Sequence, residues 1–366
     1  MADGRITAVD RTGIPAPDGM PTIDLGADAF LLPGLIDTHV HLGFNAGVDA
    51  LTAFTSADDT ELLAVMRAAA DRALQAGITT VRDLGDRGYL TLALRGELDR
   101  RSGGGPTILS AGPPITTYGG HCHFMGGAAE GAEELRTAVR DRHERGCAVV
   151  KIMASGGNMT QGSAPHESQY SPADLRIVVE EAHRLGLPVA AHAHGGAAVR
   201  DALNAGVDSL EHVSFMAENG IEAAPDIVAA VAAGGAFVSE TIGFTPGTAM
   251  PPAMTSRLDD IQQVYRRLNE LGANIIIGTD AGIMPLKPHD VLPYAIAQMP
   301  ADGSSPLQAL TAATSRAARA CGVAERKGRI RVGADADLLA VAGNPVDDLN
   351  RLRDVKAVFK EGVRTR

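Results

Sequence analysis

Between about Leu31 and Gly322, short apolar, β-branched runs alternate with amphipathic helical stretches, which restricts the chain to repeated β/α units around a parallel sheet. Eight strand candidates are counted: Leu35–Val40, Ile78–Asp83, Thr107–Ala111, Ala148–Met153, Pro188–His192, Val207–His212, Gly235–Ser239 and Ala273–Gly278. Most are apolar throughout, as parallel strands covered by helices must be. Eight such units favour an α/β fold of the closed (β/α)8 barrel type over an open sheet.

Helix punctuation falls between the strands. Ser171, Pro172 and Asp174 supply an N-cap, a first-turn proline and an acidic third position, and Gly186 stops the helix that follows. Ser305 and Pro306 open another helix, bracketed at its end by Gly322. The Ala/Leu-rich stretch from Glu61 to Gln75 ends in Ala76-Gly77, a helix stop before the next strand.

The two ends differ from this pattern. Residues 1–32 and 328–366 hold strand-like pieces, Arg5–Val9, Asp337–Val341 and Ala357–Phe359, separated by Gly, Pro and Asp turns. They are expected to pair as a small composite β-sandwich beside a catalytic barrel spanning 33–327.

Composition narrows the function. A net charge of -11 with no sustained Lys/Arg run argues against nucleic acid as a partner. Three cysteines, Cys122, Cys147 and Cys321, are far apart and lack a CxxC spacing, so neither a disulfide framework nor a thiolate zinc site is expected. The polar start MADGRITAVD and the lack of an apolar run near ~18 residues read as a soluble, unexported, cytoplasmic protein without a membrane partner. A homo-oligomer is left open.

Three His-x-His pairs occur: His39/His41, His121/His123 and His192/His194. One pair alone is weak evidence among eleven histidines; position is stronger. His39 and His41 close the first strand, Lys151 lies in the fourth, His192 closes the fifth, His212 closes the sixth, and Asp280 follows the eighth. The C-terminal strand ends form the active-site face of a β/α barrel. Neutral imidazoles and a carboxylate suit a borderline divalent ion such as Zn2+. A cationic Lys151 would oppose such ions, so within Val149-Val150-Lys151-Ile152-Met153 it must be neutral, paired or modified; a carbamate formed with CO2 would make it a bridging anion. Taken singly, each histidine is more simply a hydrogen-bonded strand-end residue, and Asp280 a turn residue.

These residues carry a resemblance. Leu32-Pro33-Gly34-Leu35-Ile36-Asp37-Thr38-His39-Val40-His41 resembles the strand-one signature of the amidohydrolase superfamily, and Ala334-Asp335-Ala336-Asp337-Leu338 its closing β-sandwich segment. Val150–Gly157, Ala191–Gly195 and Glu211-His212 resemble the prolidase-like, Xaa-Pro dipeptidase-like branch, related to imidazolonepropionases. Members of that branch cleave Xaa-Pro and other C-terminal dipeptide or N-acyl amino-acid bonds, with relatives acting on carbamates and mycotoxin amides. The resemblance implies that His39, His41 and Asp280 bind one divalent metal, His192 and His212 a second, and carboxylated Lys151 bridges them. It leaves His194 for substrate, and likens Tyr118-Gly119-Gly120-His121 to a loop whose histidine faces the substrate.

Two departures stand out. The segment before His39 is shorter than in most relatives, so part of the sandwich's first strands is expected to be reduced. Ser239-Glu240-Thr241 stands where many relatives have Pro-Thr, which makes Glu240 a candidate specificity residue for a cationic or hydroxylated substrate, or else a solvated loop carboxylate.

The mechanism expected from this set is hydrolysis of a small-molecule amide by a metal-bridging hydroxide, with Asp280 as general acid/base and His121 and His194 orienting the substrate. Three alternatives stay open: a one-metal deaminase or cyclic-amidine hydrolase, a non-hydrolytic isomerase, decarboxylase or lyase, and an inactive scaffold.

Overall fold

The computed structural model describes residues 1–10, 12–13, 19–250 and 252–366. Fourteen strands are present among them: β1 (Ala29–Pro33), β2 (Leu35–Val40), β3 (Ile78–Asp83), β4 (Thr107–Ser110), β5 (Val150–Met153), β6 (Val189–Ala193), β7 (Ser209–His212), β8 (Met216–Ala217), β9 (Gly220–Ile221), β10 (Phe237–Glu240), β11 (Asn274–Ile277), β12 (Leu338–Ala342), β13 (Val355–Lys360) and β14 (Val363–Arg364). Two parallel sheets carry the alternation, one in the order β2-β3-β4 and one in the order β11-β10-β7-β6-β5. Every residue of β2, β3, β5, β6 and β7 is buried, because helices cover these strands. Single parallel bridges link the sheet edges, Ile115 with Ile152 and Val40 with Ala281.

Several of the helices start at a capping side chain. The helix Pro172–Arg184 starts at Ser171, whose hydroxyl accepts from the Asp174 amide while Asp174 returns the bond to Ser171, as expected from the sequence. The helix Asp59–Gln75 begins two residues before the expected Glu61, because Asp58 caps it through a reciprocal bond with Glu61. The single helix expected after Ser305 is two, Pro306–Ala312 and Ser315–Ala320. Thr314 between them leaves helical geometry (φ -133, ψ -98), and its hydroxyl donates to the Leu310 carbonyl.

The parallel strands match the expected runs within two residues at each end, and β2 and β3 match at both ends. The chain ends do pair: β1, β12, β13 and β14 form one antiparallel sheet, in that order. The strand expected at Arg5–Val9 does not form; Arg5 makes isolated bridges to Ala2 and Asp335, and Ile6 packs with Leu338 and Phe359. A second layer opposite the four strands is not seen among the described strands, and residues 11 and 14–18 of the amino-terminal segment lie outside them. No helix among the described residues is long and apolar enough to cross a membrane. The three cysteines are free and buried.

Candidate metal centre

The C-terminal ends of β2, β5, β6, β7 and β10, with the residues just after β11, converge on one cavity of about 430 Å³. Two donor groups stand in it. His39, His41 and Asp280 offer ligand atoms within 4.8 Å of one another, and so do His192, His194 and His212. Asp280 Oδ1 lies 3.3 Å from His41 Nε2 and 3.5 Å from His39 Nε2. Lys151 lines the same cavity.

The second nitrogen of each histidine is held from behind. His39 Nδ1 is 2.9 Å from Glu211 Oε2, His41 Nδ1 is 3.1 Å from the Gly85 carbonyl, and His212 Nδ1 is 2.9 Å from Thr241 Oγ1. His194 Nδ1 lies 2.7 Å from Ser214 Oγ, and His192 Nε2 lies 2.9 Å from the Gly156 carbonyl. Such partners set ring orientation and leave the other nitrogen for a ligand. Backbone strain accompanies this placement. His212, Val213 and Asp280 have φ of 73, 43 and 56, in the left-handed region where a β-branched residue such as Val213 is costly. Gly278 lets β11 approach β2, since a side chain there would strike the backbone and Cβ of His39.

Burial controls the charges. It depresses His39 and His194 to about 4 and His121 to about 3, and holds His192 and His212 well below the ordinary imidazole range, with neighbouring positive charge adding to the effect. These five rings are therefore held toward the neutral form, the form in which an imidazole can bind a metal. His41 moves the other way: desolvation works against its charged form, but the Asp280 hydrogen bond, the charges of Asp280 and Asp83 and the Gly85 carbonyl together outweigh it. Burial also works against the Asp280 carboxylate, and the His41 hydrogen bond with the charges of both histidines holds it well below its usual value. Lys151 is 1% exposed, its Nζ has no hydrogen-bond partner among the described residues, and desolvation lowers it to about 8. A lone buried ammonium is unstable unless something neutralises or modifies it.

The site residues read from the sequence are brought together with two exceptions. His39, His41, His121, Lys151, His192, His194, His212 and Asp280 all line the cavity. Tyr118 does not: it is 65% exposed, and its hydroxyl donates to Glu134 at 3.1 Å on the outer surface. Glu240 is neither at the cavity nor solvated. It is 3% exposed and points to the outer side of β10, because strand alternation gives the inner side to Ser239. His194, set aside for substrate, stands as close to His192 and His212 as a ligand would.

Several participants were not read from the sequence. Glu211 and Arg82 form a buried pair behind His39, with Arg82 Nη2 2.8 Å from Glu211 Oε1. Lys287 donates 2.9 Å to the Thr279 carbonyl. Five methionines, Met125, Met153, Met159, Met216 and Met284, make much of the cavity wall, and Arg257 lines it as well. Of these only Glu211 had a signal, its place beside a strand-end histidine.

Parallel β/α units with histidines and an aspartate gathered at their strand ends define a class of metal-site α/β proteins. The sequence model of the Amidohydrolase family matches residues 30–365, and the chain belongs to that family. It is 30% identical to the ochratoxinase of Aspergillus niger over 364 residues, covering 90% of this chain and 73% of that protein. It is 25% identical to the imidazolonepropionase of Symbiobacterium thermophilum, covering 93% of this chain and 82% of that one. The structure resembles the crystal structure of a Xaa-Pro dipeptidase with methionine bound in its active site, with a TM-score of 0.86, 28% identity and coverage of 100% and 93%.

Proposed function

We propose that this chain is a binuclear metal-dependent hydrolase that cleaves an amide-type bond in a small molecule such as a dipeptide or N-acyl amino acid. The observation carrying the reading is the orphaned Nζ of Lys151, buried in the cavity that also holds the two sets of imidazole and carboxylate donors. His39, His41 and Asp280 would hold one divalent ion, His192 and His212 the other, and Lys151 the bridging carbamate. The donor set of imidazoles and carboxylates suits Zn2+. When bound, the ions supply Lewis acidity to the scissile carbonyl and lower the pKa of water toward neutrality.

The remaining work falls to the chain's own groups. The neutral amine form of Lys151, favoured by its burial, is the form that attacks CO2 and then sheds a proton. Asp280 takes the nucleophile's proton on a carboxylate oxygen and returns it to the leaving amine nitrogen. His121 and His194 hold the substrate carbonyl; a side chain at Gly157 would meet the His121 ring, so that glycine keeps His121 in place. The methionine wall excludes water and adapts to an apolar substituent. Arg257, with no ion pair among the described residues, faces a substrate carboxylate. The names of the relatives, an ochratoxinase and a Xaa-Pro dipeptidase, agree with amide substrates that end in an amino acid.

We also infer that the three- and five-stranded sheets are arcs of one closed (β/α)8 barrel over 33–327, with 1–32 and 328–366 as a composite β domain. Backbone bonds at both seams support it: Ile115 to Lys151 at 2.8 Å, Met153 to Ile115 at 2.9 Å, and His41 to Ala281 at 3.0 Å. A cytoplasmic setting is consistent with the free cysteines.

The test of activity is product analysis. Zinc-loaded protein with a panel of apolar dipeptides and N-acyl amino acids releases the free amino acid, and the wild-type chain should do so where Asp280→Asn does not. Consumption of substrate without a free amine would point to isomerising or eliminating chemistry instead.

A further inference from the structure

The outer side of β10 carries a second acidic feature, separate from the metal centre. Glu240 and Asp302 are 3% and 2% exposed and both line a cavity of about 220 Å³, together with Phe244, Gln262 and Gln298. Their side chains are within hydrogen-bonding reach of one another. Glu240 Oε2 and Asp302 Oδ1 are buried and have no partner among the described residues. Two touching carboxylates cannot both stay charged in such a place without a cation.

No base among the described residues forms an ion pair with either carboxylate. Tyr265, on the adjoining helix Pro252–Glu270, is an acid and turns its hydroxyl to the His212 carbonyl. Arg266 favours the Asp302 carboxylate, but its Nη2 donates to the Ala301 carbonyl at 2.8 Å. The Gln298 amide is committed at both ends to the Phe244 backbone, at 3.2 and 2.7 Å. Gln262 makes no hydrogen bond among the described residues, so its carbonyl oxygen is available beside the two carboxylates.

We propose that Glu240 and Asp302 form a site for a hard divalent cation, Mg2+ or Ca2+, that braces the C-terminal end of β10. The donors are all oxygen, their charge balances a divalent ion, and the cavity has room for the waters such ions retain. The brace reaches the metal centre through one residue. Thr241 follows Glu240, its Oγ1 holds His212 Nδ1, and its carbonyl accepts from Lys287 Nζ at 2.5 Å. The site is thus a structural support, and it stands whether or not the catalytic reading above is right.

The test uses zinc-saturated full-length protein near pH 7.5 and reads its thermal midpoint with Mg2+ or Ca2+ added up to about 10 mM, above the weak end of protein calcium sites. The wild type should gain about 2–4 °C, while Glu240→Gln and Asp302→Asn gain nothing. Calorimetric titration of the wild type in two buffers of different ionisation heat should show proton release as the ion replaces the shared proton, a readout that survives if a variant fails to fold. An unmoved wild-type midpoint, an equal gain in both variants, or binding without proton release would each overturn the site and leave a proton-sharing pair.

Discussion

Glu211 Oε2 lies 2.9 Å from His39 Nδ1, and the opposite oxygen of the same carboxylate lies 2.8 Å from Arg82 Nη2. Burial penalises this carboxylate, yet the Arg82 charge and the His39 hydrogen bond keep it ionised. Ionised, it accepts the Nδ1 proton and leaves Nε2 of His39 as the lone pair beside Asp280. Glu211→Gln replaces that acceptor with an amide that no longer fixes the tautomer. Zinc affinity, measured by competition with a chromophoric chelator, should fall about 10–100-fold. Unchanged affinity would remove Glu211 from the centre's support.

Asp280 is best tested as Asn rather than Ala. Its φ of 56 lies in the left-handed region, which Asn tolerates and Ala resists. Asp280→Asn should keep the wild-type circular dichroism and lower kcat by at least about 10²-fold. Activity within a few-fold of wild type would end the proton-transfer role.

His194 separates two readings of one wall. If it faces substrate, His194→Asn retains the wild-type metal content and loses kcat/KM. Metal analysis showing an ion lost with the side chain would make it a ligand beside His192 and His212, as their mutual spacing within 4.8 Å permits.

The carboxyl-terminal sheet rests on a buried charge network. Lys327 Nζ lies 2.9 Å from Asp335 and 2.5 Å from Asp337, and Lys360 Nζ lies 3.2 Å from Asp337. Burial opposes the Asp335 carboxylate, and the charges of Lys327 and Arg326 outweigh it, so its pKa is depressed. A depressed folded pKa contributes stability above the unfolded value and loses it as pH falls. Asp335→Asn should therefore cost about 1–3 kcal/mol in urea unfolding at pH 7, with the difference from wild type shrinking below about pH 4. A difference that grows on acidification would contradict this sign.

Much of the fold and centre was legible because strand ends carry both signals at once. His39-Val40-His41 at the end of an apolar run announced a strand and a pair of same-side donors, and β2 ends where that reading put it. Lys151 was legible because a lysine inside Val149–Met153 has no solvent to reach. Arg82 was not: its value lies in Glu211, 129 residues away in the chain, and only the sheet brings them together. Glu240 was misplaced because the strand runs one residue past Ser239, which turns the carboxylate outward. The break at Thr314 was missed because Ser305 and Gly322 bracket the whole segment equally well as one helix.

A bridged two-metal centre depends on Lys151, and the most direct measurement is metal content per chain by elemental analysis, with bicarbonate present during expression. Such a centre predicts about two divalent ions per wild-type chain, and loss of the bridged pair in Lys151→Ala. About one ion per chain, indifferent to Lys151→Ala, would contradict the bridged centre and favour one-metal chemistry on the same scaffold.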